Sequence, residues 1–489
     1  MAGVGVKLNR FFEKKSIAAD VLGITYSVVI TIAPILMVVV GILLMGSMLE
    51  IGQASYLERE LFSCTVMYIL IFALLAVAPF SAVFSRYMQD VMYEEKFQDI
   101  LPCYYLGAAM TVALGCLLGI PFCIREHFAG GVDVFYVFIS FCAYISMILV
   151  FYSVTYLSCC KDYERISLFF FIGMAAAFGV AWILRFWCHW KITESMLFAL
   201  MVGFLLIAVL QYTAIKSYFK GNSHNYRPIL GYFKKHWHLV VTNFLYVLGL
   251  YIHNFVLWTG DGRRVVAESF VFNQSYDMAT CLAAVFTNVS ATVIFVTHME
   301  MHFHEKYKLY SEAVIGGKKV DIENAKSQMF WQLGNELMNL ARVQFIISVV
   351  AYLLCIVIAP QYGFAGNVMR IYPCLAAGYF IVFIMYAALL FLYYFRDVSG
   401  TIFTVLSFFF VTFAGSIIAM RLPEIWQGMG LVAGALAGWT VAYMRLRWVE
   451  KNLDVHIFCQ GAIIKQESGQ MPSSLVYHKA DENEEKENR

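Results

Sequence analysis

The sequence predicts an all-α integral membrane protein with about twelve transmembrane helices in two six-helix bundles, arranged as a parallel pseudo-repeat. Three observations predict this fold. The 489 residues are 61% hydrophobic and only 14% charged, whereas soluble proteins carry about 25% charged residues. Twelve apolar runs come close to the roughly 20 residues that a helical span needs. Short connectors with the same kinds of residue recur in both halves, as in internally duplicated membrane proteins.

The twelve runs lack the alternation of polar and apolar residues that the strands of a membrane barrel show. The first run is too long for a signal-peptide core, so we expect it to be retained as a span. The ninth and twelfth runs are short. In chain order the predicted spans are Val21–Met45, Leu61–Phe84, Cys103–Ile124, Val132–Leu157, Ile166–Phe186, Met196–Tyr218, Leu239–Thr259, Met278–Val296, Val343–Ala359, Ile371–Phe395, Thr401–Met420 and Ile425–Met444.

The distribution of Lys and Arg predicts the orientation of the spans, because cytoplasmic loops carry an excess of these residues. With both termini inside, the inner segments hold 27 of the 35 Lys and Arg residues. We therefore expect a multi-pass protein with both termini in the cytoplasm and the lipid bilayer around its spans. The net charge of +2 indicates no nucleic-acid partner.

Two matches between connectors divide the chain into halves. A charged, aromatic connector follows the second span of each half, at Phe84–Phe97 and at Thr297–Tyr310. The fourth span of each half ends in a similar polar turn, Cys160–Asp162 or Phe395–Asp397, and a Phe-rich helix follows both turns. We expect one bundle at residues 1–219, a cytoplasmic linker at 220–237, a second bundle at 238–460 and a disordered cytoplasmic tail at 461–489.

The inner segment at residues 298–342 has its own amphipathic pattern. Such a helix can lie flat at the level of the lipid headgroups or form a docking surface for a cytoplasmic partner. The apolar residues that recur at helical spacing are Ile322, Ala325, Met329, Leu333, Leu337 and Leu340.

Polar residues near or inside the spans are candidates for the substrate path or for ion coupling, because such residues are costly in a membrane unless they have partners. His253 and Asn254 fall about the middle of the seventh span, where they could couple transport to protons or form a structural hydrogen bond between helices. Arg86 closes the second span and could line a path or simply extend to the headgroups. Asn273, Gln274 and Asp277 open the eighth span, where they could hydrogen-bond sugar hydroxyls, accept a proton or form an ordinary polar helix start.

The connectors supply a second group of candidates at the predicted inner face. His298, His302 and Glu305 share one helical face and could hold a zinc ion, although a solvated face is the simpler interpretation, and we predict no metal site. The sequence contains no phosphate-binding Gly-x-x-x-x-Gly-Lys-Ser/Thr run, and we predict neither catalytic residues nor a cofactor. The inner-face candidates are Tyr93, Glu94, Glu95, Glu300, Glu305, Tyr307, Arg396 and Asp397.

These segments resemble the PelG family of exopolysaccharide transporters, which belongs to a superfamily of multidrug antiporters and lipid-linked oligosaccharide flippases. The resemblance covers about residues 1–460. It implies a bacterial cytoplasmic (inner) membrane protein that exports an N-acetylhexosamine-rich polysaccharide for the biofilm matrix, with a cytoplasmic glycosyltransferase and membrane subunits of a Pel-type synthase as partners. The segments that carry the resemblance are Met1–Leu8, Phe84–Tyr87, Tyr93–Lys96, Ile100–Pro102, Met299–Tyr310, Tyr394–Asp397 and Leu453–Asp454.

Other functions stay open at this point. Within the same superfamily, the alternatives are a lipid-linked oligosaccharide flippase and a small-molecule antiporter. From other classes, a membrane-embedded acyltransferase would use His253 and Asn254, and a scaffold would only hold a synthase together. Export could be driven by polymerisation or by an ion gradient, and the scarcity of acidic residues deep in the spans favours polymerisation.

Overall fold

The computed structural model describes residues 17–160, 162–284, 303–358 and 366–458. It is built almost entirely of long helices, as the apolar runs predict. The first half contains α1 to α6. Ser55 starts α2 with a capping box, in which its hydroxyl accepts the Glu58 N–H and its own N–H donates to the Glu58 carboxylate. The helices are Ile17–Met48, Tyr56–Tyr93, Ile100–Phe128, Val134–Cys159, Tyr163–Phe186 and Ile192–Tyr218.

The second half begins after a short amphipathic helix, α7 (Arg227–Lys235), and contains one small hairpin. The helix α8 spans Trp237–Leu257, and α9 runs from residue 274 to 284, where its described part ends. Between them lie the antiparallel strands β1 (Arg264–Val266) and β2 (Phe270–Phe272). The remaining helices, α10 to α14, are His304–Gly316, Lys319–Ile358, Gly366–Tyr394, Val398–Ala419 and Met429–Phe458.

Ten of the described helices are long and apolar enough to cross a membrane. Ten of the twelve predicted spans fall on these ten helices. The first predicted span falls on α1, of which residues 33–48 form a shorter apolar helix. Most of the eighth predicted span lies outside the described residues. The fold class that the sequence predicts is thus confirmed, and the count of about twelve is consistent with the structure.

The helices of the two halves pack in the same pattern. In the first half α6 packs against α4 and α5, and α5 also packs against α1. In the second half α14 packs against α12 and α13, and α13 also packs against α8. If the spans are numbered within each half, both halves show the same contacts: span six with spans four and five, and span five with span one. A duplicated unit with parallel orientation produces this pattern.

The two predicted polar turns are built alike. Asp162 and Asp397 each cap the helix that follows, accepting the N–H of the third residue beyond, Arg165 or Gly400. Each also binds a side chain from the last helix of its own half. The Tyr218 hydroxyl donates to Asp162, and Arg445 forms a bidentate pair with Asp397 at 2.8 and 3.0 Å. The matching turns therefore have matching structural roles.

The halves meet along α2 and α8. Midway along this contact, the Asn243 amide donates to the Ala78 carbonyl at 2.6 Å and to the Ser81 hydroxyl at 3.1 Å. We call the end of the molecule that contains β1 and β2 the hairpin end. The opposite end, which contains α7 and the turn at Asp397, is the linker end.

The hairpin of the second half packs onto the first half at the hairpin end. The Tyr68 hydroxyl donates to the Val271 carbonyl at 2.8 Å and accepts the Val271 N–H at 2.9 Å. The Tyr68 ring stacks on Trp258 with centroids 5.3 Å apart and meets the edge of Phe270. Gly130 allows this approach, because a Cβ there would lie 2.2 Å from the Ala267 carbonyl oxygen.

The amphipathic segment differs from the surface-lying helix that the sequence suggests. The helix α11 runs without a break from Lys319 to Ile358 and so joins the amphipathic segment to the ninth predicted span. Its predicted apolar face packs against α10 and α12, with Met329, Leu333 and Leu340 buried. Burial against neighbouring helices, rather than contact with headgroups, therefore explains the apolar spacing.

Candidate functional site

Candidates that the sequence treats separately form one buried cluster at the hairpin end. The Asn254 amide donates to Asp277 Oδ1 at 2.6 Å, and the Trp258 indole N–H lies 2.9 Å from both carboxylate oxygens. The Asn273 N–H donates to Asp277 Oδ2 at 2.9 Å. Asp277 is only 9% exposed, so three donors compensate for the loss of water around its carboxylate.

His253 extends the same cluster. Its Nδ1 lies 2.8 Å from the Tyr276 hydroxyl, its side chain is fully buried, and its Nε2 has no partner among the described residues. His253 and Asn254 lie in the last two turns of α8 rather than at its middle, which corrects the expected depth. The helix start supplies the partners, because Asp277 and Tyr276 both lie within the first turn of α9. Gln274 is exposed and lies outside the cluster.

A cavity of about 260 Å³, lined mainly by charged and polar residues, opens where the halves meet at the linker end. Arg86 reaches it from the end of α2, and Lys235 and His236 reach it from the junction of α7 and α8. Tyr393 and Arg396 reach it from the end of α12. The cavity is therefore lined by both halves and includes the predicted candidates Arg86, Arg396 and Asp397. We call it the linker-end cavity.

The linker-end cavity carries an excess of positive charge. Asp397, its one described acidic lining residue, is buried and already paired with Arg445. Across the described ranges, Arg86, Lys235 and Arg396 have no carboxylate within 4.0 Å. Such a cavity can accept hydroxyl, carbonyl or anionic oxygens from a ligand.

His236 lies at the wall of this cavity in an environment that disfavours its charged form. Burial and then the positive charge of Arg86 lower the pKa of His236 from 6.5 to about 4. Its Nδ1 is buried and has no partner among the described residues, while its ring packs on Tyr232 with centroids 4.2 Å apart. The imidazole is therefore neutral near pH 7 and can donate or accept one hydrogen bond.

The other inner-face candidates are spread over the linker end. Tyr93 is 91% exposed at the end of α2, and Glu94 pairs with Lys96 at 2.8 Å. Glu95 follows with a φ of +59°. Glu305 is exposed in the first turn of α10. The Tyr307 ring packs perpendicular to Tyr394 at 4.8 Å, so in this group the Tyr307 contact is a packing contact.

Part of the connector at 297–310 lies outside the described residues. This part contains Glu300 and two members of the hypothetical zinc triad, His298 and His302. In the chain that the structure describes, three or more potential metal ligands nowhere cluster. The triad therefore lies mostly outside the described residues, and its interpretation as a solvated face stays a prediction.

Two important residues escape sequence analysis. Glu126 is 1% exposed in α3 and lines an apolar cavity of about 170 Å³ near the hairpin. It follows an apolar run directly and stands beside Arg125 and His127, so it resembles an ordinary charged helix end. Arg445 is separated from Asp397 by 48 positions, and only the folded arrangement of α12 and α14 brings them together.

Solved transporter structures share this fold. An inward-facing multidrug resistance MATE family transporter of the MOP superfamily has a TM-score of 0.54 at 11% identity, over 87% of this chain and 96% of that chain. An outward-facing one has a TM-score of 0.53 at 13% identity, over 88% and 96%. A MATE structure in the bent conformation has a TM-score of 0.57 at 12% identity, also over 88% and 96%. At these identities the likeness establishes the fold.

Sequence comparisons supply the family. A search of curated proteins gives no match. Residues 1–458 match PelG, the Putative exopolysaccharide Exporter (EPS-E) family. Together with the ten apolar helices and the MATE-like fold, this match establishes a multi-pass membrane transporter. The chain belongs to the PelG exopolysaccharide exporter family.

Proposed function

We propose that this transporter moves a growing, Pel-like polysaccharide rich in N-acetylhexosamine out of the cell, between its two halves, for a biofilm matrix. The observation that carries the proposal is the linker-end cavity, which both halves line and which lies on the same junction of the halves as the hairpin contact. A ligand in this cavity contacts both halves at once. Rocking of the halves, as in alternating access, would then open the hairpin end ahead of it.

The chemistry of the cavity suits a sugar chain. Arg86 and Arg396 offer guanidinium donors to hydroxyl and acetamido oxygens, and the Tyr393 and Thr401 hydroxyls line the same cavity. The Tyr393 hydroxyl donates to Thr242 at 2.8 Å, which leaves its oxygen free to accept from a ligand. Aromatic faces can stack on sugar rings, and the ring of Tyr393 is half-buried at the cavity wall.

The orientation and the partners follow from the same proposal. The linker end faces the cytoplasm, where the Lys and Arg residues are concentrated, and the hairpin end faces outward from the inner membrane. A cytoplasmic glycosyltransferase, held by membrane subunits of a Pel-type synthase, delivers the chain to the linker-end cavity. The exposed Trp331 and Met338 on α11 offer apolar contacts to such a partner.

A lipid-linked oligosaccharide flippase is the second candidate, and one observation favours it. Arg86, Lys235 and Arg396 are not paired with described carboxylates, and such clusters bind phosphate oxygens well. A flippase would use this charge for the diphosphate of a lipid carrier, whereas a polymer exporter would use it for sugar oxygens.

The decisive experiment follows polymer and lipid-linked sugars separately in cells that lack the protein and in cells that express variants. Polymer export predicts that deletion and Arg86→Gln leave polymer at the inner face without accumulation of a lipid-linked precursor. Lys319→Gln is the control, since Lys319 is exposed on α11, away from the cavity. Accumulation of the precursor with no intracellular polymer would instead establish the flippase.

The same assay addresses the alternatives from other classes. His253→Ala that abolishes export while the synthase complex still assembles would argue against a pure scaffold. Unchanged export in His253→Ala would contradict an acyltransferase that relies on the imidazole. Retention of normal export in the deletion strain would overturn transport of this polymer altogether.

A further inference from the structure

Glu126 is the least compensated carboxylate in the described part of the chain. Its Oε1 is buried without a hydrogen-bond partner, and no described Lys, Arg or His lies within 4.0 Å of its carboxylate. It also lies in the last turn of α3, where the helix dipole disfavours negative charge. An ionised carboxylate in this position would be costly.

The surroundings of Glu126 favour a protonated carboxyl over a carboxylate that binds a metal ion. The cavity of about 170 Å³ is walled by apolar side chains such as Phe72 and Leu118. The hydroxyls of Thr65 and Ser140 already donate to helix carbonyls, and Tyr144 adds one hydroxyl without a described partner. Hard cations such as Ca²⁺ take about six or more oxygen ligands, and this cavity does not supply them.

The charged side chains next to this cavity interact with partners other than Glu126. The Arg125 guanidinium donates to the Glu268 carbonyl at 3.2 Å, and Arg264 pairs with Glu60 at 2.9 Å. His127 Nδ1 lies 3.0 Å from the Val132 carbonyl oxygen. The other titratable groups that face Glu126 or lie close to it are Cys64 and Tyr68 from α2, Cys123 from α3, and Tyr136 and Tyr144 from α4.

The hairpin forms one wall of the same cavity. Phe270 from β2 and Tyr68 from α2 both line it, and these two rings pack against each other at the hairpin end. Phe122 packs edge-on against Phe270 with centroids 5.2 Å apart. Departure of the hairpin would therefore remove one wall of the cavity and admit water to Glu126.

We propose that Glu126 is a proton-exchange site whose access is controlled by the hairpin at residues 264–272. While the hairpin end is closed, the Glu126 carboxyl holds a proton in the apolar cavity. When the hairpin leaves, water reaches the carboxyl, its O–H bond breaks, and the proton passes to that water, leaving a solvated carboxylate. Closing again requires that the carboxylate recovers a proton. The proposal rests on the transporter assignment but not on the identity of the polymer.

Protonation of Glu126 and closure of the hairpin are linked in this proposal, and the sign of the linkage can be stated. The closed state holds one more proton than the open state, so a rise in pH favours opening, by up to about tenfold per pH unit for one linked proton. Glu126→Gln keeps the shape of the neutral side chain but cannot release a proton. The opening of this variant is therefore expected not to depend on pH.

Hydrogen–deuterium exchange of the hairpin amides tests this in the full-length protein in lipid nanodiscs. The ratio of wild-type to Glu126→Gln exchange rates, taken at each pH, cancels the intrinsic pH dependence of amide exchange. The ratio is expected to rise with pH between about pH 5 and pH 7, above the ordinary glutamate pKa of about 4.3, by up to about tenfold per unit. Glu268→Gln, which removes an exposed carboxylate at the hairpin itself, is expected to exchange like the wild type, and Glu126→Asp to keep the pH dependence.

A constant ratio across this range would overturn the proposal, as would a pH dependence that Glu268→Gln removes as well. Thermal unfolding of Glu126→Gln verifies that the variant is folded. Should that variant be unfolded, Glu126→Ala replaces it as the reference that cannot release a proton, and a constant ratio of wild-type to Glu126→Ala exchange rates overturns the proposal. Failure here leaves the polymer assay unaffected, so the two proposals fail separately.

Discussion

The two matching turns provide an internally controlled test of the folded structure. Asp397→Asn keeps a helix-capping side chain, since Asn caps about as well as Asp, but removes the charge that Arg445 binds at 2.8 and 3.0 Å. Removal of one partner of a buried ion pair costs about 3–5 kcal/mol. The Arg445 side chain is 26% exposed and lies over Trp448 at 4.4 Å, so we expect the lower figure of about 2–3 kcal/mol.

Asp162→Asn makes the same chemical change at the equivalent turn of the first half. Its partner Arg165 lies 3.3 Å away and its side chain is 48% exposed, and exposed pairs contribute about 0–1 kcal/mol. The Tyr218 hydroxyl can still donate to the Asn oxygen. We therefore expect Asp162→Asn to lower the free energy of unfolding by less than about 1 kcal/mol.

Denaturant unfolding of both variants in the same detergent measures the difference. Arg445→Met should recover part of the loss when it is combined with Asp397→Asn, because no charge is then left without a partner. Equal losses for the two Asp→Asn variants would refute the argument, since burial is the main difference between the turns. Strict additivity of Asp397→Asn and Arg445→Met would refute it as well.

Three further predictions concern the hairpin end and the linker end. Asp277→Ala leaves three buried donors without an acceptor and should cost about 3–5 kcal/mol in unfolding experiments; a loss below about 1 kcal/mol would contradict the cluster. Tyr68→Phe removes the hydroxyl that bonds twice to Val271 and should speed hairpin amide exchange about tenfold, whereas unchanged exchange would show that ring packing alone holds the hairpin. Because burial and Arg86 lower the pKa of His236 to about 4, its contribution to stability is complete above about pH 6.5 and declines as the pH falls toward 4. His236→Gln should flatten this part of the stability profile, and an unchanged acid slope would assign it to other groups.

Much of the architecture is predictable from sequence because lipid imposes simple requirements. Every spanning backbone group must be paired within its own element, so long apolar runs become helices with little dependence on tertiary context. The duplicated turns were also recognisable, since Asp162 and Asp397 follow the same span in each half. Their role as helix caps is local chemistry that a sequence reveals.

Long-range partners were not predictable in the same way. His253, Asn254 and Asp277 could be selected as polar residues in unusual places, but their contact depends on how α8 and α9 meet across the intervening hairpin. Glu126, in contrast, could not be selected from the sequence as a candidate residue. Its neighbours in sequence are charged, so nothing local indicates that a β-hairpin from the other half will cover it.

The two buried carboxylates at the hairpin end bear on how transport is driven. Asp277, in the second half, receives three hydrogen bonds, whereas Glu126, in the first half, has an oxygen without a described partner. The two carboxylates therefore differ in how well their burial is compensated. The scarcity of acidic residues deep in the spans favours export driven by polymerisation. If the hairpin acts as the proposed gate, however, covering the Glu126 carboxylate penalises closure unless a proton accompanies it. Export of a polysaccharide that is driven only by polymerisation does not need this proton-dependent closure. A transporter whose closure is coupled to proton uptake does need it.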